Sequence, residues 1–145
     1  MTDRPALPAL PLLGDPLPEP LPGGLARFRS RHSTDQVAQR LERAGWAVGV
    51  VDLSVAPDKP ALMAAFARAL AFPDWVGHTW DALDDALRDL SWWPAGTCGR
   101  VLIVRGAERI GTTTARDRAM LADILAAAVR RWAATPSPLA VLLRR

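Results

Sequence analysis

Apolar residues recur along this chain with two periods, and the period decides the element. Val37, Leu41 and Ala44 stand about one helical turn apart behind Ser33 or Thr34, either of which can cap a helix, and Gly45 ends it. Residues 48–53 form a nearly continuous apolar run, rich in β-branched side chains and too short for a helix. That composition predicts a strand buried on both faces. Pro57, Asp58 and Pro60 mark the entry of a second helix with Leu62, Met63, Phe66, Ala69 and Leu70 at helical spacing, and Pro73 lies beyond its end. A third helix is predicted over 79–90, capped by the Thr79 hydroxyl. A strand at 101–104 follows, then a long helix at about 115–132 with Leu121, Ile124, Leu125, Ala128 and Trp132 on one stripe. Beyond Pro136 and Pro138 comes a last strand, 139–143. Each strand-to-strand connection is long enough for a helical crossover, so the expected fold is α/β, a small three-stranded parallel sheet packed with helices.

Upstream the pattern stops. Seven of the 13 prolines lie within the first 22 residues, where they deny the backbone both helix and ladder hydrogen bonds. Residues 1–32 are therefore expected to be an extended, disordered proline-rich tail, and 33–145 the folded domain. Gly23 and Gly24 punctuate the tail, and Arg27, Arg29, Arg31 and His32 follow as a small basic patch.

At 145 residues, half of them hydrophobic, the chain has material for one core. No apolar run approaches 18 residues, and no basic start leads into an apolar segment, so neither a membrane span nor a secretion signal is expected and the location read from the sequence is cytoplasmic. The lone Cys98 has no disulfide partner and no neighbours at metal-ligand spacing, which predicts a structural thiol. Eighteen basic against 15 acidic residues give +3, and the cations are Lys59 and arginines scattered along the chain. A phosphate-tracking surface needs them clustered on one face.

The helix over 79–90 changes the picture. At 100° per residue Leu83, Ala86, Leu87 and Leu90 fall on one side, while Asp81, Asp84, Asp85 and Arg88 fall on the other with Asp89 at its edge. Like charges one turn apart repel by a few tenths of a kcal/mol per pair, so the helix loses stability by displaying them. Proximity to the helix N-terminus accounts for Asp81 but not for Asp85 or Asp89. Trp75 and Trp80 sit beside the helix start next to the Gly77 turn, and aromatics bordering a charged patch are typical of binding surfaces. Residues 74–89 hold five aspartates and one arginine, a local −4 inside a chain of +3, so the remainder carries +7.

Catalytic equipment is missing by contrast. There is no phosphate-binding glycine loop with its lysine, no nucleophile elbow, and only His32 and His78 as histidines, so no enzyme and no catalytic residue is expected. Asp81, Asp84 and Asp85 could meet Mg²⁺, but no second acidic cluster completes an oxygen shell, and neither metal nor cofactor is expected. Arg105, Arg109, Arg116 and Arg118 cluster loosely after the second strand, which keeps an arginine-rich nucleic-acid-binding module as an alternative.

The run Phe72-Pro73-Asp74-Trp75-Val76-Gly77-His78-Thr79-Trp80-Asp81-Ala82-Leu83-Asp84-Asp85-Ala86-Leu87-Arg88-Asp89-Leu90-Ser91-Trp92 resembles the barstar family, in which a helix ends at a proline, an aromatic and a glycine follow, and an Asp-Ala-Leu helix opens onto the inhibitory surface. The resemblance is strongest over 59–104, extends to about 143 through matching element order, and is absent before 33. It implies a monomeric α/β inhibitor that binds a secreted or toxin-type ribonuclease one to one and occludes its active site, with no direct contact to nucleic acid or membrane. Residue by residue, it places Asp85 where the family's key carboxylate enters the nuclease site in place of a substrate phosphate, and Asp81 at a second acidic contact. Trp75 stands for an aromatic that packs on the nuclease, and Thr79 and Trp80 border the same contact, which takes in Gly77 and His78. The chain departs from the family at Asp84, where a large apolar residue is common, at His78, where a polar or acidic one is, and on the last helix, where Arg130 and Arg131 stand in place of a further acid. An immunity protein for a toxin other than a ribonuclease is the alternative within the same surface.

Overall fold

Every helix and strand predicted between residues 33 and 144 forms in the computed structural model, which describes residues 19–54, 56, 58–107 and 115–144. In chain order the elements are β1 (Glu19–Pro20), β2 (Ala26–Phe28), α1 (Thr34–Arg43), β3 (Trp46–Asp52), α2 (Lys59–Leu70), α3 (Trp80–Asp89), β4 (Gly99–Arg105), α4 (Ala115–Ala133) and β5 (Leu139–Arg144). The architecture is α/β as expected, but the sheet is larger: five strands in the order β1-β2-β5-β4-β3 replace the expected three. The three predicted strands do lie side by side and parallel, with Val101 opposite Val48 and Ala140 opposite Val101. The two additional strands come from the segment assigned to the proline-rich tail. There β2 pairs parallel with β5, Ala26 opposite Leu142, and Leu25, Ala26 and Phe28 are buried. A three-residue apolar alternation is too short to read as a strand, and only the open edge of β5 turns it into one. Residues 1–18 of the expected tail, Pro57 and Arg109 lie outside the described residues.

Two cores fill the two faces of the sheet, and the period-two alternation of the strands assigns side chains to each. On one face Val101, Ile103, Ala140 and Leu142 meet Val37 and Leu41 of α1, together with Trp46 and Phe28. On the other, Val51, Leu102, Val104, Leu139 and Val141 meet α2, α3 and α4 through Leu62, Phe66, Leu83, Leu87, Leu121 and Leu125. This two-sided burial is why β4 reads as an unbroken apolar run. Ser33 opens α1 through a reciprocal cap, its hydroxyl accepting from the Gln36 amide at 3.1 Å while the Gln36 side chain accepts from the Ser33 amide at 3.0 Å. Asp58 opens α2 by accepting from the Ala61 amide at 2.9 Å. Among the described residues no helix is long and apolar enough to cross a membrane.

Candidate functional site

The loop between α2 and α3 presents the residues singled out from the sequence. Ala71 closes α2 in the left-handed conformation, and Val76, buried in the loop and with its amide on the Pro73 carbonyl at 3.0 Å, pins the excursion to the body. Around that anchor Asp74, Trp75, Gly77, His78 and Thr79 are exposed and Trp80 is half-buried. Thr79 caps α3, its hydroxyl accepting from the Ala82 amide at 3.1 Å. Gly77 has neither a left-handed backbone nor a crowded one: a Cβ there would sit 3.5 Å from the Ala82 Cβ, an ordinary contact. The fold of this loop does not require glycine at 77.

Along α3 the amphipathic split follows the predicted spacing except at Asp84, expected on the outer face and found half-buried. Leu83, Ala86 and Leu87 are each about 1% exposed, whereas Asp81, Asp85 and Asp89 point to solvent. The three carboxylates recur every fourth residue, one line along the helix with steps of roughly 6 Å. Arg88 spares most of this line, because it pairs with Asp84, which is half-buried at the side of the stripe. Asp81 and Asp85 are in no ion pair among the described residues. No group of three or more histidine, cysteine, aspartate or glutamate side chains among the described residues is placed to hold a metal ion.

Aromatic rings border the acidic stripe. Trp75 is 69% exposed and stands edge-on to Trp92 with ring centroids 5.8 Å apart. Trp92 is in turn edge-on to Phe72 at 5.7 Å and donates its indole N–H to the Leu70 carbonyl at 3.0 Å. Trp93 turns the other way: a Cβ on Gly49 of β3 would lie 3.5 Å from its ring and 2.6 Å from Leu70, so glycine lets this strand accept the indole and α2 together. Both tryptophans that follow α3 are half-buried and pack against the main core, and Trp92 is the one that Trp75 meets. Lys59 lies over the Trp80 ring at 5.5 Å.

The C-terminal end of α3 is fixed by two side chains that sequence reasoning did not assign there. Trp132 of α4 donates its indole N–H to the Leu87 carbonyl at 2.8 Å. Arg100 of β4, 7% exposed, donates from Nε to the Trp93 carbonyl at 2.7 Å and from Nη2 to the Leu90 carbonyl at 3.4 Å, and burial pushes its pKa below the usual arginine value. The carbonyls left over at a helix end thus find donors, and a cation sits at the negative pole of the helix. The signal for Arg100 was its place inside an apolar strand; it was lost among 17 arginines. Both ends of the acidic helix are held while its outer face is bare.

Two members of the other arginine group, Arg105 and Arg118, lie elsewhere. Arg105 faces Asp52 at 3.9 Å, and Arg118 lines a groove with Arg27 and Arg144 beside α4. The Ser54 hydroxyl, with the Ser54 amide and Arg105 adding to it, holds the Asp52 carboxyl below its ordinary range against the effect of burial. Cys98, expected to be a structural thiol, is exposed and donates its thiol to the Ala44 carbonyl at 3.3 Å.

Comparison with known proteins bears on this geometry directly. The family model described as Barstar (barnase inhibitor) matches residues 46–144, from the first residue of β3 to the end of β5 and across the whole of α3. No curated protein matches the chain.

Proposed function

Because the chain belongs to the barstar family, we propose that it inhibits a ribonuclease by seating α3 and the loop before it over the nuclease active site. The observation that carries this reading is the line of exposed carboxylates on a helix anchored at both ends. A nuclease must gather arginine, lysine or histidine around the phosphate it cleaves, and a fixed carboxylate pairs with such cations through short charge-assisted hydrogen bonds. Asp85 takes the phosphate position and Asp81 a neighbouring one, with Trp75, Gly77, His78, Thr79, Trp80 and Asp84 completing the contact. No bond is made or broken, so the chain is an inhibitor and not an enzyme, acting one to one in the cytoplasm of the cell that makes it. Rigidity matters here because an ordered surface loses little further freedom on docking.

Co-expression with ribonucleases of the producing organism, followed by assay of residual RNA cleavage, tests the reading: the chain is expected to suppress one of them stoichiometrically. Two further outcomes follow from the geometry. Gly77→Ala should leave the melting temperature within about 2 °C, since nothing crowds the new methyl. A loss of affinity in that variant then reports the nuclease surface lying against the loop, which isothermal titration of the complex would measure. Association should be of ordinary speed, about 10⁵–10⁷ M⁻¹s⁻¹, with shallow salt dependence, because the +7 outside residues 74–89 opposes long-range attraction to a basic enzyme. Stopped-flow rates that are much faster and fall steeply with salt would contradict this.

A further inference from the structure

Thr34 and Arg100 are the polar side chains buried in the described fold, and Arg100 is the one that carries charge. Its guanidinium lies over the Trp132 ring at 4.7 Å and beside the Trp93 ring at 5.8 Å, and its Nη1 is buried with no hydrogen-bond partner among the described residues. Two hydrogen bonds and two ring contacts offset part of the cost of burying this charge, a cost that an apolar side chain would not carry. The buried Nη1 without a partner is itself unfavourable. What an arginine supplies instead is direction, because its planar fork fixes the orientation of whatever it bonds. In this fold it bonds the carbonyls of Leu90 and Trp93, the two ends of the turn that leaves α3, across which the Trp93 amide also donates to the Leu90 carbonyl at 3.0 Å. Trp92 lies within that turn, and its ring is the surface on which the exposed Trp75 stands.

We propose that Arg100 is a positioning residue: by holding both ends of the 90–93 turn it sets the ring of Trp92, and through Trp92 the outward orientation of Trp75 beside the acidic helix. The positioning is a property of the free protein, and only its effect on docking rests on the inhibitor reading above.

Fluorine NMR of the full chain carrying 5-fluorotryptophan separates this from a local structural role, since the chain has six tryptophans and Arg100 lies over the rings of two of them, Trp93 and Trp132. In Arg100→Met the lines of Trp93 and Trp132 must move whatever the role. The expected result is that the lines of Trp92 and Trp75 shift and broaden as well, and that Arg100→Lys, which keeps the charge but not the fork, restores them only in part. Lines of Trp75 and Trp92 that stay where they are in both variants would overturn the proposal. Should Arg100→Met not fold, Arg100→Lys gives the same readout. If the chain binds a ribonuclease, Arg100→Met should weaken the complex about tenfold. If the wild type binds none while the Trp75 line still responds, the inhibitor reading fails and the positioning stands.

Discussion

The Asp85→Ala chain is expected to bind its ribonuclease roughly 10²- to 10⁴-fold more weakly than the wild type, the equivalent of about 3–5 kcal/mol, because the substitution leaves the cations of the nuclease site buried without a partner. Its own fold should not suffer. Asp85 is exposed, caps nothing and pairs with nothing among the described residues, and it stands one turn from both Asp81 and Asp89. Removing it relieves like-charge repulsion worth a few tenths of a kcal/mol, so thermal unfolding should be unchanged or slightly later. The combination of large loss in binding with no loss in stability is what distinguishes a contact from a support. Equal inhibition by Asp85→Ala and wild type, with both folded, would show that the key carboxylate lies elsewhere on the chain.

Leu87→Ala should do the reverse. Leu87 is 1% exposed on the buried side of the same helix, and its carbonyl receives the Trp132 indole. Truncation leaves a cavity between α3 and α4, for which about 2–5 kcal/mol of lost stability is usual, or roughly 5–20 °C in melting temperature for a domain of this size. Calorimetry would read the loss. Inhibition measured well below the melting point, per folded molecule, should stay within about threefold of the wild type, because the carboxylates stay on the opposite face. A loss of inhibition as large as that of Asp85→Ala, in a protein still fully folded, would mean that the acidic stripe does not act as a separate surface.

How much of this could be read without coordinates depends on how far each feature is local. The buried stripe and the acidic stripe of α3 follow from 100° per residue, and Thr79 as its cap follows from side-chain chemistry at the helix start; both are found as expected except at the half-buried Asp84. The exposure of Trp75 and the half-burial of both Trp92 and Trp93 could not be read, because an indole suits a core and a rim equally well. β2 was missed for a different reason. Three residues carry too little pattern, and the strand exists by virtue of a free edge on β5, which is more than a hundred positions away. Arg100 escaped because composition dulls the signal of any single arginine in so arginine-rich a chain. Local periodicity thus set out the face of the site, whereas what steadies the face from behind depends on contacts between distant elements.

The central claim is that the carboxylates of α3 occupy the phosphate site of a ribonuclease. Competition tests it most directly: the affinity of the chain for its nuclease is measured at rising concentrations of a mononucleotide that occupies the nuclease active site. The apparent Kd should rise in proportion to the nucleotide concentration, as mass action requires for two ligands of one site. An affinity indifferent to saturating nucleotide would contradict the account.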